Sequence, residues 1–357
     1  MTEIAVKMKE TMGTMPPEEK LGFGTYFTDH MFTMDYNPQE GWHNPTVAPY
    51  NEFSVFPAAM VFHYGQAVFE GMKAFRTEDD RIVIFRTKDY LERFNRSADA
   101  LCIPNIDVAA VTEGLKKVVE VDKKWVPTKV GTALYIRPFI IATDPYVGVK
   151  VSDTYKLFIL LSPVGAYYAA GFDPVSIKVE DKYVRATLGG LGEAKTPANY
   201  AMSLRAQEEA KKEGFAQVLW LDAVERKYIE EVGTMNIFFK INGEIVTPDL
   251  VGSILGGMTR RTVLELAKAW GIKTSERRIS VEEIFAAHEK GQLEEVFGTG
   301  TAAVISPVGE LSWKGKKIVI NQNKTGEFAQ KLFDTVTGIQ YGKLEDKFNW
   351  IDEVTKL

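Results

Sequence analysis

Cysteine and histidine are scarce in this chain. Its 357 residues hold one cysteine, Cys102, which excludes a disulfide within the chain and leaves no thiolate cluster for a metal. The four histidines, His30, His43, His63 and His288, are scattered without His-x-x-x-His spacing, so no metal site is expected. Positive charge is not in excess either. The 43 lysines and arginines against 48 acids leave a net charge of −5, and no global field draws nucleic acid or an anionic membrane. No apolar run reaches the roughly 20 residues of a membrane-spanning helix. The N-terminus mixes Glu3, Lys7, Lys9 and Glu10 and lacks the apolar stretch of a signal peptide, which leads to a cytoplasmic expectation. A Gly-x-Gly-x-x-Gly turn in a βαβ setting is missing as well, which speaks against a dinucleotide cofactor.

What is present is the composition of an ordinary globular protein, 45% hydrophobic and 25% charged, with length for two domains. Residues 1–50 read as irregular, with Pro16-Pro17 and Asn44-Pro45. Phe69-Glu-Gly-Met-Lys-Ala-Phe75 reads as a short strand with Ile82–Phe85 as its hairpin partner. Helical spacing covers 88–101 and 108–121, and apolar strands follow at 132–141 and 155–161, an α+β pattern with antiparallel pairs. A small-residue connector then separates a smaller N-terminal domain, 1–168, from a larger C-terminal one, 176–357, with 169–175 between them. In the second part, strands are expected at 175–179, 217–221, 236–241, 245–247 and 295–298. Helices are expected at 199–213, 259–270, 281–290 and 325–338.

Three chemical elements stand out. Leu255-Gly-Gly-Met-Thr-Arg260 is a turn that opens a helix, and free N–H groups at a helix start favour a phosphate. Met258 and Thr259 supply those groups, and Phe297-Gly-Thr-Gly-Thr-Ala302 offers a second small, polar turn. Lys195, among small uncharged neighbours in Gly-Glu-Ala-Lys-Thr-Pro-Ala, has the setting of an amine nucleophile. Glu231 is an acid for a ring nitrogen, and Arg93 is a helix arginine able to grip a phosphate with its planar fork. Taken singly, each has an ordinary reading as a turn, a solvated lysine or a surface ion pair. Taken together, a nucleophilic amine, an acid and a phosphate cradle point to pyridoxal 5'-phosphate chemistry.

The ordered set of motifs resembles the branched-chain aminotransferases, pyridoxal phosphate enzymes of fold type IV. The signature is Glu231-x-Gly-x-x-Asn236-Ile-Phe238, Ile245-x-Thr247, Leu255-x-Gly257-Met-x-Arg260. With it come Phe27-Thr-Asp-His-Met, Phe69-Glu-Gly-Met-Lys-Ala-Phe, Leu134-Tyr-Ile-Arg-Pro, Pro163-Val-Gly-Ala-Tyr and Gln217-Val-Leu-Trp-Leu. The resemblance runs from about Phe23 to Asn349 and implies a two-domain α/β fold of type IV. It implies that Lys195 forms the Schiff base, that Glu231 faces the ring nitrogen and that Tyr200 hydrogen-bonds near the ring oxygen. It gives the phosphate to Arg93, Thr301 and the Met258 and Thr259 backbone, and sets Arg185 and Thr234 near the cofactor. Phe23, Phe69, Tyr135, Tyr167, Thr234 and Ala302 line the substrate side. Arg137, beside Tyr135, is the choice for the side-chain carboxylate of glutamate. Tyr64 and Val149 match positions that reach a neighbouring subunit's pocket, which implies a homodimer. The implied reaction moves an amino group between L-leucine, L-isoleucine or L-valine and 2-oxoglutarate. The Cys-x-x-Cys pair of some relatives is replaced by Ala303 and Ser306, so no thiol switch is expected there.

Overall fold

The structure is a computed structural model that describes residues 3–165 and 172–357. Two compact units divide the chain. One takes Met1–Tyr167, Ala194–Pro197 and Thr337–Leu357, and the other takes Tyr168–Glu193 and Ala198–Val336. The contiguous division expected from the sequence is thereby corrected. The Lys195 segment and the C-terminal strand belong to the first unit, which is no smaller than the second. The reason is backbone hydrogen bonding. Phe69 N–H donates to the Lys195 carbonyl at 3.0 Å, and Ile351–Lys356 pairs antiparallel with Arg81–Phe85.

The first unit is built on a nine-stranded sheet. Its order is Ala5–Val6, Gly41–Pro49, His30–Asn37, Tyr155–Val164, Ala133–Ala142, Met72–Arg76, Arg81–Phe85 and Ile351–Lys356, and Ala67–Phe69 also pairs with Ala133–Ala142. The irregular reading of residues 1–50 is therefore wrong. His30–Asn37 and Gly41–Pro49 form a hairpin whose turn is set by Asn37 Oδ1, which accepts from the Gln39 and Glu40 N–H groups. Pro45 misled because proline removes a ladder donor; its strand is paired along most of its length on one side only. The expected strand 69–75 is broken at Glu70-Gly71, between Ala67–Phe69 and Met72–Arg76. Helices Thr87–Ala100 and Val108–Val121 match their periodicity, and Asp107 caps the second by accepting from Ala109 and Ala110 N–H. Gly114 sits mid-helix because a Cβ there would stand 2.4 Å from the Phe32 ring.

The second unit carries another nine-stranded sheet, in the order Ile229–Val232, Gln217–Leu221, Val175–Glu180, Val304–Trp313, Leu293–Gly300, Met235–Ile241, Glu244–Thr247 and Thr274–Glu276. Lys316–Val319 lies beside Val304–Trp313, and Ile229–Val232 also pairs with Met235–Ile241. Strand alternation places the two faces in different layers. Leu219 and Leu221 pack in one cluster with Ile284 and Phe285 of helix Val281–Glu289. Val218 and Trp220 face the other way and pack with Ala206 and Ala210 of helix Pro197–Lys212. Helix Glu327–Gln340 begins two residues later than expected, where the Glu295 carboxylate accepts from Phe328 and Ala329 N–H at 2.9 Å each. Among the described residues no helix is long and apolar enough to cross a membrane.

Candidate active site

In the first unit, Lys195 lies in a backbone segment clamped on both sides. Its N–H donates to Ser97 Oγ at 2.9 Å, its carbonyl accepts from Phe69, and the next residue, Thr196, donates to the Ala67 carbonyl at 2.8 Å. Pro197 then starts a helix, a position where its missing N–H costs nothing. The half-buried Lys195 side chain places Nζ 4.8 Å from the centre of the Phe69 ring.

The break after Phe69 has a steric cause. Gly71 lies so close to Tyr135 that a Cβ would stand 1.9 Å from its hydroxyl. Tyr135 and Arg137 are two apart on one strand and share a face. Arg137 Nη2 donates to the Tyr135 hydroxyl at 3.0 Å, and its guanidinium stands 4.9 Å from the Phe69 ring centre. Phe23 meets Tyr135 edge-on at 5.0 Å. Lys195, Phe69, Tyr135, Arg137 and Phe23 thus form one cluster. Arg137 Nε is buried and lacks a hydrogen-bond partner among the described residues.

Arg93, expected at a phosphate, grips the buried Glu70. Nε donates to Oε1 at 2.7 Å and Nη2 to Oε2 at 2.8 Å. Tyr64 and Val149 stand on the surface, 42% and 84% exposed, and the Tyr64 hydroxyl donates to the Val147 carbonyl. Tyr167 lies outside the described residues.

In the second unit the signature residues converge. Gly233, at φ +57°, turns the chain so that Glu231 pairs with Asn236 across a hairpin. Both side chains then hold Leu255. Its N–H donates to Glu231 Oε1 at 2.8 Å, and its carbonyl accepts from Asn236 Nδ2 at 2.8 Å. Arg185 Nε lies 3.4 Å from Glu231 Oε2, while Nη2 donates to the Ser253 carbonyl. Gly257 is where the fold leaves no room, since a Cβ would stand 2.0 Å from Asn236 Oδ1. Helix Met258–Ala269 opens at that point without a side-chain cap, so Met258 and Thr259 begin the helix. Thr247 and Arg260 brace the turn from behind, donating to the Ile237 and Pro248 carbonyls at 2.7 and 2.9 Å.

The second polar turn is a hairpin loop. Leu293–Gly300 runs beside the Asn236 strand, and residues 301–303, with Thr301 and Ala302, connect it to Val304–Trp313. Sequence reasoning passed over Thr299, which pairs in register with Asn236 and whose buried hydroxyl has no hydrogen-bond partner among the described residues. Thr234 is exposed in the signature hairpin turn, and Tyr200 is half-buried on helix Pro197–Lys212. An uncapped helix start, a glycine that admits no Cβ, an orphaned threonine hydroxyl and a carboxylate braced by arginine suit a phosphorylated, cationic ring. Among the described residues no group of three metal-ligating side chains gathers.

A class IV amino-transferase family model matches residues 67–311. Branched-chain-amino-acid aminotransferase 2 of Bacillus subtilis is 58% identical, with 99% of this chain and 98% of that protein covered. The crystal structure of the Escherichia coli branched-chain amino acid aminotransferase superposes with a TM-score of 0.76 at 26% identity, over 92% of this chain and 99% of that one. Another branched-chain amino acid aminotransferase, the T.th. enzyme solved with pyridoxamine 5'-phosphate, gives 0.74 at 25% identity, over 92% and 100%.

Proposed function

Because the chain belongs to the class IV amino-transferase family, among its branched-chain-amino-acid aminotransferases, we propose that it transfers the amino group between L-leucine, L-isoleucine or L-valine and 2-oxoglutarate. Its cofactor is pyridoxal 5'-phosphate. The observation that carries the reading is the joint hold of Glu231 and Asn236 on Leu255 at an uncapped helix start.

When bound, pyridoxal phosphate supplies a carbonyl that captures amines and a ring that withdraws electrons. Lys195 would hold the cofactor through its amine, and the same Nζ, when free, would carry the proton removed from the substrate Cα. Its clamped backbone keeps Nζ near one place, and such positioning supplies much of the advantage of a reaction within a complex. Glu231 keeps a proton at the ring nitrogen, and Arg185 steadies that carboxylate. Tyr200 donates toward the ring oxygen. Arg93, Thr301 and the Met258 and Thr259 N–H groups hold the phosphate.

The resemblance assigns the substrate side to Phe23, Phe69 and Tyr135 of the first unit, to Thr234 and Ala302 of the second and, outside the described residues, to Tyr167. Aromatic faces suit a branched aliphatic chain. Arg137, whose Nε has no partner among the described residues, serves the side-chain carboxylate of glutamate. Arg137→Ala is then expected to raise KM for 2-oxoglutarate more than tenfold and that for L-leucine far less. Equal effects on both in steady-state kinetics remove the assignment. The exposed Tyr64, Val147 and Val149, with Phe56 and Phe62 at 69% and 62% exposure, support a homodimer in which Tyr64 and Val149 reach the partner's pocket. The protein works in the cytoplasm on this reading.

The deciding experiment is the near-visible absorption spectrum of the purified protein with L-leucine, using D-alanine as control. A yellow band that L-leucine bleaches and D-alanine leaves supports the proposal. A response to D-alanine alone moves the enzyme to the D-amino-acid branch of the fold. A colour that neither amino acid changes indicates a cofactor-binding protein without turnover. A protein colourless after pyridoxal phosphate is supplied overturns the role of Lys195.

A further inference from the structure

Glu230 and Glu231 follow one another on a buried strand, so their side chains leave opposite faces. Glu231 goes to Leu255 and Arg185. Glu230 goes to Ser253, whose hydroxyl donates to Oε1, while Oε2 is buried without a hydrogen-bond partner among the described residues. Both Glu230 and Ser253 line a cavity of about 280 Å³ in the second unit. These two residues, at 5% and 0% exposure, form its closed end. Leu188, Val224 and Val251, at 59%, 78% and 45%, form its mouth. Ile229 and Ile254 add to apolar walls.

Of the other charged residues at the cavity, Arg278, Glu225 and Asp222 are engaged, and Asp249 adds a half-buried carboxylate to the lining. Arg278 pairs with Glu225 at 3.0 Å and lies 3.5 Å from the centre of the Tyr228 ring. Asp222 accepts from the Val224, Glu225, Lys227 and Tyr228 N–H groups. A buried carboxyl oxygen without a donor is costly, and a cavity of this size is just below the range of drug-sized sites. We propose that this cavity is a second binding site, for a small aliphatic ammonium compound whose cationic head donates to Glu230 and whose alkyl body lies against Leu188, Val224 and Val251. The site adjoins residues given to the cofactor, through the Glu230-Glu231 strand and the Arg185 bond to the Ser253 carbonyl, and the binding test does not depend on that reading.

The probe is N,N-dimethylisoamylamine, a tertiary amine that cannot condense with a carbonyl, titrated by calorimetry into the full chain with its cofactor bound. Saturable binding is expected, at least about tenfold weaker in Glu230→Gln, where a charge-assisted hydrogen bond is lost. Val224→Trp, at an exposed mouth position, is expected to abolish binding while leaving the thermal melt unchanged. Isoamyl alcohol, with the same body and no charge, is expected to bind at least about tenfold more weakly than the amine. Absence of saturable binding by the amine overturns the site. So does equal affinity in wild type and both variants, and alcohol binding as tight as the amine's overturns the ammonium assignment.

Discussion

Among the described residues each unit buries an arginine–glutamate pair, and the two pairs are built differently. In the first unit Arg93 grips both oxygens of Glu70 at 2.7 and 2.8 Å, and the Gly71 N–H adds a third bond to Oε2 at 3.0 Å. In the second, Arg185 approaches one oxygen of Glu231 at 3.4 Å and directs its Nη2 to backbone carbonyls. A bidentate buried pair neutralises itself and fixes the chain around it. A longer contact leaves the geometry to other groups, here the Leu255 N–H. The first arrangement suits a joint between strand and helix. The second suits an acid that must respond to a ligand.

Breaking the tight pair gives the largest expected effect. Glu70→Ala leaves Arg93 buried and is expected to lower stability by about 3–5 kcal/mol, read from the urea midpoint. Adding Arg93→Ala must cost less than the sum of the two single changes, because they share one interaction. Additive losses would mean the pair is not coupled. The loose pair is expected to show the opposite profile. Glu231→Gln should reduce kcat by about 10²–10³ and move stability by about 1 kcal/mol or less. A large fall in the urea midpoint with kcat intact would reverse the comparison.

Next comes the turn that Glu231 and Asn236 hold. Gly257→Ala introduces a Cβ 2.0 Å from Asn236 Oδ1, an overpacking expected to cost about 1–3 kcal/mol and to weaken cofactor retention on dialysis. The smallest effect concerns Glu230. Burial pushes its carboxyl above the usual range, and the Ser253 hydrogen bond and the Arg185 charge oppose the shift only in part. With the folded value above the unfolded one, the folded state binds the proton more readily, so this group adds stability as pH falls through the folded value. Glu230→Gln is therefore expected to melt slightly higher than wild type at pH 8, and the gap should close by about pH 4, below the unfolded value. A gap that is constant with pH would show that Glu230 is ionised alike in both states.

Much of the second unit was legible. Its helices show period 3.6 and end on glycines such as Gly214 and Gly271, at φ +87° and +69°. The strand that carries Glu231 was missed, because Ile-Glu-Glu-Val lacks polar–apolar alternation and both acids are buried. Val304–Trp313 was missed too, since Pro307 and Gly309 interrupt its pattern. In the first unit the Phe69-Glu-Gly-Met run read as one strand. The close approach of Tyr135 that breaks it comes from a strand more than sixty residues away in sequence.

By itself the sequence determined the kinds of group available: an amine at Lys195, an acid at Glu231, and glycines before a helix start, with one thiol and four imidazoles in the chain. Local spacing also set most helices, because period and caps lie within a dozen residues. Only the tertiary structure decided that the Lys195 segment joins the first unit's sheet, that Arg93 holds Glu70 and that Glu230 and Glu231 serve opposite faces. Those outcomes depend on hydrogen bonds and close contacts between residues distant in the chain, and no local pattern records which donor will meet which acceptor.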